Sequence, residues 1–86
     1  MATLARPVLT EYVRTPVNVR HLELGDVAVL PRVDQVIRVI SGCAWITMNE
    51  EDIIVNNGER VTLYPGKYAP VISAVDNAPL VYEIIT

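Results

Sequence analysis

The segment Gln35-Val36-Ile37-Arg38-Val39-Ile40-Ser41-Gly42-Cys43-Ala44-Trp45-Ile46-Thr47-Met48 decides the fold. It reads as two short strands, 35–41 and 43–49, separated by a turn at Ser41-Gly42. Val, Ile and Thr number 14, 8 and 6 in the 86-residue chain, so a third of it is β-branched. Such side chains are stiff at χ1 and pack well on a pleated surface. Moving outward, Gly25-Asp26, Pro31 to Asp34, Asn49 to Asp52, Asn56-Asn57-Gly58, Pro65-Gly66 and Asp76 to Pro79 cut the chain into short runs. Strands are predicted at 17–24, 27–30, 35–41, 43–49, 53–56, 60–64, 69–75 and 80–86. Frequent turns between short strands point to a sandwich or barrel. Asn57-Gly58 suits a tight hairpin, and Pro65-Gly66 suits a type II turn with Gly66 at positive φ.

Val36 to Ile40 and Val81 to Ile85 are apolar on both parities, apart from Arg38 and Glu83. Such strands are expected inside a sandwich, or with one face against a partner subunit. Hydrophobic residues make up 51% of the chain. A 9.5 kDa chain buries only roughly 63% of its unfolded surface, so self-association is the expected outlet for the excess. The same content excludes a disordered chain. Residues 4–14 place Leu4, Val8 and Tyr12 four apart, with Pro7 able to open a helix. Residues 1–16 therefore read as an N-terminal arm or short helix, and 17–86 as one β domain.

The formal net charge is −3, and the acids concentrate in the second half. An acidic chain without a Lys/Arg cluster is a poor nucleic-acid binder. No apolar run is long enough to span a membrane, and no secretory signal is evident. The single cysteine, Cys43, cannot form an internal disulfide, which fits a cytoplasmic location.

From Gln35 onward the chain resembles the core of a cupin β-barrel. The segment Val39-Ile40-Ser41-Gly42-Cys43-Ala44-Trp45-Ile46-Thr47 is also similar to the "VLSGxxWVT" hallmark of a family of short cupin-like proteins of unknown function. The resemblance covers roughly residues 27–86. It implies an all-β, cupin-like antiparallel barrel or sandwich in a single domain. Metal-binding cupins carry G-x5-H-x-H-x3or4-E-x6-G and G-x5-P-x-G-x2-H-x3-N. The closing glycine of the first motif falls on Gly42 and its Glu on Gln35. Its two His fall on Val29 and Pro31, or on Ala28 and Leu30 with the longer spacing. In the second motif Gly58 and Gly66 match, the Pro position is Tyr64 with Pro65 one place late, the His is Ala69 and the Asn is Ser73. The turn glycines are kept, while the positions of the metal ligands hold no suitable donors. No metal and no cofactor are expected. If Gln35 and Ala69 point inward, so do Ile37, Val39, Val71 and Ser73.

Five residues are candidates for ligand binding. His21, the only histidine, could act as a general base near neutral pH, or be an exposed strand residue between Arg20 and Glu23. Arg38, in an apolar strand, could hold an anion or pair with Glu83. Trp45, Tyr64 and Tyr68 could line a pocket, fill the core or anchor an interface. Cys43 reads as a small buried thiol, and Glu50-Glu51-Asp52 as a solvated hairpin tip. Phosphate-loop, nucleophile-elbow and CxxC signatures are absent. The reading is a non-catalytic homo-oligomeric scaffold or small-ligand-binding protein. The alternatives are a metal-independent isomerase or lyase using His21 or Tyr64 with Arg38, or a module that docks a protein partner through a strand edge.

Overall fold

The computed structural model describes residues 18–75 and 78–86. The expected arm or helix over 1–16 lies outside them. Eight strands follow in order: β1 Asn18–Leu22, β2 Val27–Val29, β3 Gln35–Ser41, β4 Ala44–Met48, β5 Glu51–Val55, β6 Arg60–Leu63, β7 Val71–Ala74 and β8 Leu80–Ile85. They form two antiparallel four-stranded sheets, β1-β8-β3-β6 and β2-β7-β4-β5. Each of the eight predicted runs overlaps one of these strands. The first sheet is called sheet A below, and the second sheet B.

The core lies between the sheets. Alternation puts Gln35, Ile37 and Val39 of β3 inside, beside Leu63 of β6 and Leu80, Tyr82 and Ile84 of β8 in the same sheet, while Ala44 and Ile46 of β4 point inward from the other sheet. Strand β7 departs from expectation. Ile72 and Ala74 point inward, Pro70 is fully buried, and Val71 and Ser73 lie on the other side. The expected parity is thus out by one residue, and a slip of one residue reverses every side chain of a strand. Pairing fixes the parity, because Ile72 lies opposite Ile46 and Ala74 opposite Ala44, both inward residues.

Three turns differ from their sequence readings. Strand β5 begins at Glu51 rather than 53, because Asn49 and Glu50 both take positive φ (53° and 65°) and Met48 pairs with Glu51. That is a two-residue hairpin of the twist that suits paired strands, so Glu51 and Asp52 are strand residues and Glu50 alone remains of the expected acidic tip. Asn57-Gly58 makes a turn, with Glu59 N–H donating to Asn56 C=O, but it carries the chain from β5 in sheet B to β6 in sheet A. Gly66 does not take positive φ. Its amide instead donates to Asn49 Oδ1 at 3.2 Å, and a Cβ there would stand 2.8 Å from that oxygen.

The crossing from β3 to β4 is the tightest point. A bulge between Val39 and Ser41 shifts the β3–β8 register before its last pair, Ser41 with Val81, and Gly42 follows with φ +88°. A Cβ on Gly42 would meet the Pro79 carbonyl oxygen at 2.5 Å and Leu80 Cα at 3.1 Å. Gly58 has a similar φ, but nothing stands within 4 Å of its Cβ position. An alanine at Gly58 therefore meets only the cost of a left-handed backbone, about 1–2 kcal/mol, whereas an alanine at Gly42 meets that cost plus a backbone clash. Urea unfolding of G42A and G58A is expected to show the larger loss for G42A. Equal losses would mean the Pro79 contact carries no weight.

Candidate functional site

A cupin-type interior site would sit between the sheets, so the inward residues at the β2, β3 and β7 ends are the ones that matter. Along β2 and the residues just after it, the inward pair is Ala28 and Leu30, while Val29 points to solvent and Pro31 is exposed. On β3 the residue is Gln35, only 3% exposed. Its Nε2 donates to the Pro31 carbonyl at 2.6 Å and to the Val33 carbonyl at 3.0 Å. Two carbonyl acceptors fix which end of the amide is nitrogen. The other end, Oε1, is buried and has no hydrogen-bond partner among the described residues. A buried acceptor left unpaired costs about 1–3 kcal/mol.

Tyr82 of β8 is the one polar aromatic of the core. Burial pushes its phenol above the ordinary tyrosine value, and Arg20, its cross-strand neighbour on β1, partly offsets this. Tyr82 is thus held as the neutral phenol near neutral pH, not as a base. Neither Arg20 nor Tyr82 stood out in sequence. Only the β1–β8 register brings them together, and that pairing joins residues some sixty positions apart.

The five candidates occupy separate places. His21 and Arg38 lie on the outer face of sheet A, where His21 Nε2 is 3.2 Å from Glu23 and Arg38 Nη1 is 3.4 Å from Glu83 across the strand pair. Trp45 lies on the outer face of sheet B, beside Ser73 and Ile54. Tyr64 and Tyr68 stand exposed on the β6–β7 loop, with the Lys67 ammonium 5.8 Å from the Tyr68 ring centre. His21, Tyr64 and Arg38 therefore do not converge on one concavity. Trp45 borders a cleft of ≈ 540 Å³, with Leu24 to Val27 and Ser73 to Val75 as the other walls. The cleft is open, apolar and outside the barrel.

Three solved structures share this architecture. One is a cupin protein from Bacteroides fragilis, with 25% identity, a TM-score of 0.63, 80% of this chain covered and 61% of that one. The second is a cupin-2 domain containing protein from Shewanella frigidimarina, at 19% identity and a TM-score of 0.59, covering 79% of this chain and 65% of the other. The third is a conserved protein of unknown function from Streptococcus pyogenes, at 21% identity and a TM-score of 0.61, covering 79% and 60%. This chain is cupin-like. It spans about three-fifths of the length of these structures. No family model matches the sequence, and no curated protein matches it.

The inward positions of this cupin-like barrel do not fit a metal ion. They supply the apolar side chains of Ala28, Leu30, Pro70 and Ala74 and the neutral amide of Gln35, and divalent metals need several imidazole, thiolate or carboxylate donors. Among the described residues no three His, Cys, Asp or Glu side chains stand together. Cys43 is buried, with Sγ 3.5 Å from Asn56 Oδ1.

Two predictions follow from Gln35 and Tyr82. Gln35→Glu sets a buried carboxyl against two carbonyl oxygens, one of which only its protonated form can satisfy. Its folded pKa then lies above the unfolded value of about 4.3. Stability of Q35E is expected to approach wild type in acid and to fall as pH rises through the folded pKa. A flat difference between pH 4 and 8 would show that the site is wetter than described. For Tyr82 the raised pKa contributes stability that is complete below the unfolded value near 10 and lost as pH rises through the folded one. Thermal melts above pH 10 are expected to fall less steeply for Tyr82→Phe than for wild type, and parallel slopes would contradict this.

Proposed function

We propose that this cupin-like protein is a non-catalytic scaffold that works as a homo-oligomer without a bound metal or cofactor. The observation that carries the reading is the set of inward positions. Where chemistry would need donors, the barrel holds Ala28, Leu30, Pro70 and Ala74, packed with the aliphatic core. A site of this kind has no group to polarise a substrate and no acid–base pair to move a proton. The apolar excess lies outside instead, with Val27, Val29, Trp45 and Ile54 all exposed. Surface of that kind is ordinarily covered by another subunit. No helix among the described residues is long and apolar enough to cross a membrane, and a reducing cytoplasm suits the single cysteine.

A small-ligand role is the second reading, favoured by the cleft beside Trp45. Its openness leaves much of a small molecule in water, whereas tight sites bury most of the ligand surface.

Sedimentation velocity of the full chain over a concentration series tests the proposal. The expected result is a reversible oligomer whose melting temperature is unchanged by EDTA. A monomer at every concentration would sink the scaffold reading, and a chelator-induced loss of stability would overturn the metal-free one.

A further inference from the structure

The β3–β6 register sets two arginines side by side on the outer face of sheet A. Arg38 of β3 lies directly opposite Arg60 of β6. The next residues along, Val39 and Glu59, are joined by a backbone bond from Val39 N–H to Glu59 C=O. Bonded and unbonded pairs alternate along an antiparallel ladder, so Arg38–Arg60 is an unbonded pair, the kind whose side chains stand closer. Their Cβ atoms are about 4.5–5.5 Å apart, and like charges so placed destabilise a sheet. Among the described residues one carboxylate serves the pair. Glu83 of β8, on the other side of Arg38, stands 3.4 Å from Arg38 Nη1. Arg60, on the edge strand, has no ion pair or side-chain hydrogen bond among the described residues. The carboxylate of its neighbour Glu59 is taken up by Asn56 N–H, which donates to it at 2.9 Å. Arg38 and Arg60 are both exposed.

We infer that the Arg38–Arg60 pair is a binding site for a phosphate monoester group. The ladder supplies the second anchor that a lone Arg38 lacks. Each guanidinium presents its donors in a planar fork that matches phosphate oxygens. Arg38 commits one nitrogen to Glu83, and Arg60 commits none. Thr62, two residues along β6 on the same face and exposed, adds a hydroxyl. Charge and oxygen count select the ligand. A carboxylate carries one charge and fills one fork with its two oxygens. A phosphate monoester carries about −1.5 to −2 at pH 7 and has three strong acceptor oxygens, enough for both forks and the hydroxyl. Bound between the two arginines, it relieves their repulsion. It sits on the β6 side of Arg38, away from Glu83. A lipid phosphate is disfavoured, because a chain of net charge −3 is repelled by an anionic bilayer surface. The ligand is therefore a small soluble molecule. The inference is independent of the scaffold reading, since the site lies outside the barrel and uses none of the inward residues.

Inorganic phosphate is titrated into the full chain at neutral pH and constant ionic strength, and the amide NMR signals of Arg38, Arg60 and Thr62 are followed. The site is open and screened by solvent, so the expected result is a joint, saturable shift with a Kd on the order of a millimolar. Acetate at the same ionic strength is expected to give no saturable response. Arg60→Gln and Arg38→Gln are each expected to raise the Kd at least about tenfold. Glu83→Gln, which frees Arg38, is expected to lower it about threefold. R60Q removes a like-charged pair, so it is expected to melt no lower than wild type in phosphate-free buffer. Its lost response then reports the site and not the fold. Vesicles of phosphatidic acid in phosphatidylcholine are expected not to bind. Four outcomes overturn the inference: no saturable shift, an equal response to acetate, a phosphate response that survives in R60Q, or binding to the vesicles alone. Each of them leaves the scaffold reading standing.

Discussion

The close approach of Gly42 to the Pro79 carbonyl is the constraint on which the rest of the barrel depends. Strand β3 belongs to one sheet and β4 to the other, and only two residues separate them. The chain must leave the first sheet, turn with positive φ and enter the second beneath the segment leading into β8. Only a residue without Cβ fits that gap. Once the crossing is made, β3 lies between β8 and β6, and β4 between β7 and β5. The inward residues of both then face one another, and their alternation sets the core. Two backbone bonds support the crossing, Gly58 N–H to Val39 C=O and Val39 N–H to Glu59 C=O. The Val39-Ile40-Ser41-Gly42 signature is in this sense a geometric requirement more than a chemical one.

Much of the fold was legible in the sequence because each strand is bounded by residues with a mechanical reason to turn. Gly25, Gly42 and Gly58 all take positive φ. The β3 parity was readable from Gln35-x-Ile37-x-Val39, and the Arg38–Glu83 pairing from two charges in apolar strands. The β7 parity was not, because the count was anchored on glycines while pairing with β4 determines which residues face inward. The hairpin tip was misplaced for a related reason. Asn49-Glu50 is not a glycine-bearing turn, and the acidic residues after it disguised the start of β5.

The candidate site was legible mainly as a loss. The resemblance pointed to Gln35 and to either Val29 and Pro31 or Ala28 and Leu30, and the structure places Gln35, Ala28 and Leu30 on the inner side and the other pair in solvent. What spacing could not supply is the state of Gln35, since its amide is oriented by carbonyls in a loop of irregular backbone. Nor could it separate the candidates by face. His21, Arg38 and Trp45 are all strand residues, yet the strand pairing sends two of them to one outer surface and the third to the other.

The Asn49 side chain bridges the β4–β5 tip to the β6–β7 loop, reaching the Tyr64 carbonyl at 3.5 Å and the Gly66 amide at 3.2 Å, while Arg32 holds the Lys67 carbonyl at 3.0 Å. All three bonds grip main chain. The side chains of Tyr64, Lys67 and Tyr68 have no part in them, and both tyrosines stand well exposed. This end of the barrel thus separates the shape of a loop from its chemistry. Its course is set by neighbours, so its surface can be rewritten one side chain at a time without disturbing the barrel, as a mounting does not constrain what it displays.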